Sequence, residues 1–215
     1  AHHHHHHGSN LRNKLKLYVI TDRRLKPEVE SVREALEGGA TAIQMRIKNA
    51  PTREMYEIGK TLRQLTREYD ALFFVDDRVD VALAVDADGV QLGPEDMPIE
   101  VAKEIAPNLI IGASVYSLEE ALEAEKKGAD YLGAGSVFPT KTKEDARVIG
   151  LEGLRKIVES VKIPVVAIGG INKDNAREVL KTGVDGIAVI SAVMGAEDVR
   201  KATEELRKIV EEVLG

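Results

Sequence analysis

The sequence predicts a single (β/α)8 barrel, the TIM-barrel architecture of the α/β class, and three observations carry that prediction. Eight short apolar runs alternate with eight helical patterns along the chain. The runs are continuously apolar rather than alternating, as strands of a parallel sheet are when both faces are covered. A quasi-repeat marks every second unit: Gly39-Ala40-Thr41, Asp86-Ala87-Asp88, Gly128-Ala129-Asp130 and Gly183-Val184-Asp185 each stand between a helix and an even-numbered strand. A left-handed helix stop followed by a tight turn back into the sheet needs such residues. Eight units in about 205 residues make a compact closed barrel. The alternative is an open doubly wound sheet, for which eight parallel strands would be long.

Residues 1–9 contain six consecutive histidines and read as an expression tag, leaving 10–215 as one domain with no linker or low-complexity stretch. Leu17 to Thr21 is a β-branched run and the first strand. Pro27 opens the first helix, with Val29, Val32, Ala35 and Leu36 on one face, and Gly38-Gly39 end it. Ala42 to Arg46 is the second strand, and a long amphipathic helix runs from Pro51-Thr52 to about Tyr69. Leu72 to Asp76 is the third strand, with a short helix over Val79 to Val85. Gly89 to Gly93 and Leu109 to Ala113 are the fourth and fifth strands, followed by helices over Pro98 to Ala106 and Leu118 to Lys127. Tyr131 to Gly135 is the sixth strand. It must stop before Phe138-Pro139, because proline removes a ladder donor and restricts the residue before it. Leu151 to Ser160 is helical, Pro164 to Ile168 the seventh strand, Asp174 to Lys181 a helix, Gly186 to Ile190 the eighth strand and Ala196 to Leu214 the last helix.

Composition narrows the chemistry. All six histidines lie in residues 1–9 and the chain has no cysteine, which excludes histidine general bases, thiol nucleophiles, disulfides and zinc-finger ligand sets. Carboxylates, lysines, arginines, hydroxyls, backbone amides and a hard ion with oxygen ligands remain. A net charge of −6 weighs against nucleic acid as a partner. No apolar run approaches the roughly 20 residues of a membrane helix, and no signal peptide is visible, so a cytoplasmic protein is expected.

In such a barrel the reactive face is the carboxyl end of the strands. The second strand ends in Gln44-Met45-Arg46-Ile47-Lys48, where alternation points Gln44, Arg46 and Lys48 the same way. An amide and two cations on one side suit an anionic ligand, a salt-bridged rim being the alternative. The third strand ends in Asp76-Asp77. Two like charges about 4 Å apart cost on the order of 4 kcal/mol at an effective dielectric near 20. A divalent cation shared by Asp77 and by Asp96, on the neighbouring strand's loop, would remove that cost; one aspartate capping the helix near Val79 is the alternative. After the fifth strand, Ser114 could donate to a phosphate or serve as a turn serine. After the sixth come two hydroxyls and two ammonium groups, Thr140-Lys141-Thr142-Lys143. They suit a phosphorylated ligand or form a solvated basic loop. The seventh and eighth strands lead into Gly169-Gly170 and Ile190-Ser191, where barrels often bind phosphate through glycine backbone and a helix N-terminus. The outline is a ligand pair with two separated anionic ends. Departure of a diphosphate needs charge neutralisation rather than acid–base work.

Tyr18-Val-Ile-Thr-Asp22, Gln44 to Lys48, Val75 to Asp77, Gly89 to Gly93, Asp96, Pro139 to Lys143, Val166 to Ile171 and Val189 to Ser191 together resemble the thiamine-phosphate synthase family, in order and over nearly the whole chain. The resemblance implies a single catalytic domain and a transferase of thiamine biosynthesis. It would condense hydroxymethylpyrimidine diphosphate with carboxylated thiazole phosphate to thiamine phosphate, pyrophosphate and carbon dioxide, with Mg²⁺ assisting pyrophosphate departure. It implies that Gln44, Met45, Arg46, Ile47, Lys48, Asp76, Ser114 and Lys143 hold the pyrimidine diphosphate, with Arg46, Ser114 and Lys143 catalytic. Thr140, Lys141, Thr142, Gly170, Ile190 and Ser191 would hold the thiazole phosphate, and Asp77 and Asp96 the Mg²⁺. The partners expected are small phosphorylated molecules, no nucleic acid and no membrane; a homo-oligomer stays open. The chain departs from the family pattern at Asp76, where Asn is usual, at Tyr116, where His is common, and at Pro94, where Gln commonly follows the glycine. A thiazole tautomerase-like relative, or a phosphate-binding barrel without synthase activity, is the alternative; the tautomerase branch tends to lack the acidic pair and to use a histidine.

Overall fold

The computed structural model describes residues 10–140 and 147–215. Among them, eight parallel strands close into a barrel in chain order. They are β1 (Leu17–Ile20), β2 (Ala42–Met45), β3 (Leu72–Asp76), β4 (Gly89–Leu92), β5 (Ile110–Val115), β6 (Tyr131–Ala134), β7 (Val165–Ile168) and β8 (Gly186–Val189). The last strand returns to the first, with Leu17 opposite Ile187, Tyr18 opposite Ala188 and Val19 opposite Val189. That pairing excludes the open sheet. Outside lie α1 (Glu28–Glu37), α2 (Thr52–Glu68), α3 (Val79–Ala84), α4 (Ile99–Ile105), α5 (Leu118–Lys127), α6 (Gly150–Ser160), α7 (Ala176–Leu180), the short α8 (Ser191–Met194) and α9 (Val199–Leu214). No helix among the described residues is long and apolar enough to cross a membrane.

The helices form where an apolar stripe meets a stop signal. Met55, Gly59, Leu62 and Thr66 of α2 are buried at helical spacing, as are Val199, Thr203, Leu206 and Val210 of α9. Ser117 caps α5, its hydroxyl accepting from Glu120 N at 3.1 Å, and Gly128 ends the helix at φ 102°. Element boundaries differ from expectation by one to three residues, among them the following two. The fifth strand runs on to Val115, so Ser114 sits in the strand rather than after it. The final helix starts at Val199, because Asp198 caps it by accepting from Lys201 N at 3.0 Å. The preceding Ser191–Met194 turns separately as α8, a helix too short for its periodicity to be legible.

The quasi-repeat is a structural device. Gly39, Asp86, Gly128 and Gly183 have φ of 107°, 57°, 102° and 99°. Two residues on, the side chains of Thr41, Asp88, Asp130 and Asp185 accept from the N–H groups of Leu17, Phe73, Ile111 and Val165 at 2.9, 2.8, 2.8 and 2.9 Å. The backbone N–H of each donates to the carbonyl of the same partner at 2.7–2.8 Å. Each even strand thereby clamps the amino end of the odd strand before it and satisfies a donor the ladder leaves over.

The core has two layers. Val19, Ile43, Phe73 and Leu132 face outward against the helices. Tyr18, Phe74, Ile110, Tyr131 and Val166 fill the barrel interior, with Leu11 and Leu15 from the segment before β1. Tyr18 stacks on Phe74 at 5.4 Å between centroids, and Phe74 meets Tyr131 edge-on at 5.3 Å. These rings form the floor beneath the carboxyl-terminal face.

Candidate active site

One cavity opens above that floor, walled by the ends of all the strands. Gln44, Arg46, Asp76, Ser114, Thr140, Gly170, Ile190 and Ser191 line it together.

Its charged wall comes from β2 to β4. Thr21, at the end of β1, accepts from the Arg46 backbone N–H at 3.0 Å and fixes the exit of β2. Lys48 Nζ donates to Asp76 at 2.8 Å and also to Asp77, while Arg46 Nε lies 3.9 Å from Asp76. Asp77 has φ 67°, a left-handed conformation that aspartate tolerates better than most residues. Its N–H donates to Gln91 O at 2.8 Å and prolongs the β3–β4 pairing. Asp96 accepts from Gly93 N at 2.6 Å and faces Asp77 within hydrogen-bonding reach. Neither Asp76 nor Asp77 caps α3, whose capping residue is Arg78 and which has no side-chain cap bond. Both carboxylates are therefore engaged by Lys48 rather than by a helix end.

Their electrostatics follow from crowding. Burial, and then the hydrogen bond with Asp77, push the Asp96 carboxyl up to about 6. Burial also raises Asp77, but its bonds with Asp96 and Lys48 outweigh that, and it lies below the ordinary range. Asp76 is raised, by burial first and by the charge of Asp77 next. Lys48 is raised: burial opposes its charge, but Asp76 and Asp77 prevail. One ammonium thus serves two carboxylates, and the third carboxyl keeps a proton well above the usual pH.

The opposite wall is backbone. Gly169 and Gly170 have φ of 109° and 68°. A Cβ on Gly170 would sit 2.9 Å from both Phe138 Cβ and Pro139 O, so only glycine lets the β6 and β7 exits cross there. Asn175 Nδ2 holds Gly170 O at 2.9 Å. Ser191 opens α8 beside them.

The family model described as thiamine monophosphate synthase matches residues 17–193. The chain belongs to that family. The curated thiamine-phosphate synthase of Pyrococcus abyssi is 83% identical over 204 residues, covering 95% of this chain and 99% of the relative. That of Archaeoglobus fulgidus is 59% identical, covering 94% of this chain and 96% of the relative. A solved structure of thiamine phosphate pyrophosphorylase from Pyrococcus furiosus superposes with a TM-score of 0.93 at 98% identity, covering 96% of this chain and all of that one. The chain is accordingly an enzyme, a transferase of thiamine biosynthesis with thiamine-phosphate synthase activity.

Seen as a synthase-family site, the expected residues divide. Eight of them share the cavity, as described above, while Lys48, Asp77 and Asp96 cluster beside Asp76. Met45 and Ile47 depart from expectation. Their side chains are buried among the residues between barrel and helices, because strand alternation turns them away from Gln44 and Arg46; only their backbone can meet a ligand. Lys141, Thr142 and Lys143 lie outside the described residues. Among the described residues no three acidic side chains form a complete metal-ligand group, so Asp77 and Asp96 would need ligand oxygens to complete a shell. Sequence reasoning gave no role to Tyr18, Gln91 and Tyr131, which also line the cavity. The signal was available: each is a polar group inside a short apolar strand, at a position whose alternation faces the barrel axis.

Proposed function

We propose that residues 10–215 form the catalytic unit, residues 1–9 being a tag, and that the chain joins hydroxymethylpyrimidine diphosphate to carboxylated thiazole phosphate in the cytoplasm. The products are thiamine phosphate, pyrophosphate and carbon dioxide. The observation that carries this reading is one cavity with a cation-and-carboxylate wall on β2–β4 and a glycine-and-serine wall on β7–β8. Such a cavity suits two phosphorylated molecules brought together rather than one.

Arg46 and Lys48 hold the diphosphate, with Lys143 joining them. Lys48 neutralises Asp76 and Asp77 in the free protein, and Arg46 lies beside the same Asp76. Asp76, raised by burial and paired with Lys48, adds less negative charge beside the diphosphate than an exposed aspartate would. Thr140, Lys141, Thr142, Gly170, Ile190 and Ser191 hold the thiazole phosphate and set its ring nitrogen towards the pyrimidine methylene. The carbon–oxygen bond breaks with its electron pair leaving on pyrophosphate, and the pyrimidine-methyl cation is trapped by the nitrogen lone pair. Loss of carbon dioxide leaves the electron pair of the broken carbon–carbon bond on the ring, which takes up a proton from solvent to give the thiazolium of the product. No proton need be removed by a strong base, consistent with a site that has no histidine.

Asp77 and Asp96 fit a hard divalent ion: their oxygens face each other, and the proton Asp96 retains up to about pH 6 marks the place of a missing positive charge. Mg²⁺ bound there would supply charge neutralisation for the leaving pyrophosphate. The test is turnover with both substrates and Mg²⁺, read as thiamine phosphate and pyrophosphate formed in equal amounts. Binding of both ligands without product would overturn the reading in favour of a phosphate-binding barrel. Isomerisation of the thiazole alone would favour the tautomerase.

A further inference from the structure

Five side chains across the barrel interior form an unbroken hydrogen-bonded chain whose two ends lie in the cavity. Gln44 Nε2 donates to Tyr18 Oη at 2.9 Å, and Tyr18 Oη lies 2.7 Å from Tyr131 Oη. Tyr131 Oη donates to Gln91 Oε1 at 2.6 Å, and Gln91 Nε2 donates to Ser114 Oγ at 3.1 Å. The seating is built into the strands. A Cβ on Gly112 would lie 2.3 Å from both the Tyr131 ring and Gln91 Oε1, so β5 is reduced to bare backbone where the two side chains meet. Phe74 holds both tyrosine rings, stacked on Tyr18 and edge-on to Tyr131.

A hydroxyl has one proton, which orders the chain. Tyr131 gives its proton to Gln91, so it must accept from Tyr18, and Tyr18 must accept from the Gln44 amide. Gln91 gives an N–H to Ser114, so the Ser114 proton is left to point into the cavity, and the Gln44 carbonyl oxygen is left to accept. Burial raises both tyrosines above their ordinary values, so each remains a neutral hydroxyl. A chain with one link reversed would set two donors or two acceptors against each other in a buried joint, leaving a desolvated polar group unpaired. The two amides, on β2 and β4, agree on one direction.

We infer that Tyr131 and Gln91 are positioning residues that couple Ser114 to Gln44, so that the cavity presents one donor and one acceptor together and selects a ring with an amidine edge. Such an edge, a ring nitrogen beside an exocyclic amino group, is that of a 4-aminopyrimidine. The inference rests on the proposed function, which supplies the aminopyrimidine diphosphate. A 4-oxopyrimidine has the opposite edge, a ring N–H beside a carbonyl, and fits only if both amides and every hydroxyl reverse together.

The experiment compares the diphosphates of the 4-amino and 4-oxo pyrimidines as ligands of the full chain, by calorimetry and by KM and kcat. The parent prefers the amino compound. Tyr131→Phe uncouples the ends, and the amino-over-oxo preference falls at least tenfold, chiefly through KM, while affinity for inorganic pyrophosphate stays within twofold. Gln91→Met cuts the chain one link further on and gives the same loss, which keeps the test available if Tyr131→Phe fails to fold. Equal weakening of both pyrimidines, with the preference unchanged, would reduce both residues to packing and overturn the inference. So would a parent without preference. Absence of turnover in the parent would instead overturn the proposed function, so the two failures are distinguishable.

Discussion

The two ends of the barrel use the same side chain in opposite ways. At the amino-terminal rim Asp88, Asp130 and Asp185 each accept a strand N–H, and each has its own cation: Arg63 at 2.7 Å, Lys103 at 3.6 Å and Arg12 at 2.8 Å. At the carboxyl-terminal face Asp76 and Asp77 share Lys48, and Asp96 crowds against Asp77 with no cation of its own among the described residues. The first arrangement is complete in itself and stabilises the fold. The second is left short of positive charge, and the proposed metal and diphosphate site rests on that deficit. A charge compensated within the protein reads as structure; one held uncompensated by its neighbours reads as function.

Substitutions at the two ends should therefore separate activity from stability. Asp77→Ala or Asp96→Ala is expected to cut turnover at least a hundredfold, the scale of removing a main electrostatic stabiliser, while the chain stays folded at the assay temperature. Near-parental rates in saturating Mg²⁺ would remove these residues from the metal site. Lys143→Ala is expected to weaken the pyrimidine diphosphate about tenfold, the loss of one charged contact, and the thiazole phosphate much less. Titrating each ligand separately checks this, and equal losses would move Lys143 to a shared role. Asp88→Ala at the opposite rim should cost about 1–3 kcal/mol in denaturant unfolding, while turnover per folded molecule is unchanged. A catalytic defect there would erase the division between the two ends.

The smallest effect sharpens the contrast through pH. Asp96 keeps its proton to about pH 6 in the fold, against an ordinary aspartate value of 3.8. Its contribution to stability is then fully present below about pH 4 and is lost as pH rises through 6, since the folded state binds the extra proton. Without divalent ions, Asp96→Asn should melt above the parent at pH 7.5, and the gap should close towards pH 4.5. A gap that widens on acidification would reverse the assigned direction.

How much of this was legible beforehand depends on the range of the interaction. The strand ends at Arg46, Asp76 and Gly170 could be read because each follows an apolar run in its own segment. That the quasi-repeat ends in Thr41, Asp88, Asp130 and Asp185 was plain, but that each grips the strand before it was not, because the partner lies 15 to 24 residues away. Met45 and Ile47 came in with a contiguous motif, and alternation then turned their side chains out. Gln91 was quoted within a motif and left without a role, since its partners Tyr131 and Ser114 are 40 and 23 residues distant.

The order of strands and helices, the absence of histidine and thiol chemistry, and the succession of cations, carboxylates and glycines along the strand ends were determined by the sequence alone. Periodicity, chain punctuation and composition are local properties. Only the closed barrel decided which of those groups meet. Closure at β1–β8 and the register of each pairing bring Tyr18, Gln91 and Tyr131 across one axis, and crowding at β3–β4 rather than residue type lifts Asp96 above its neighbours.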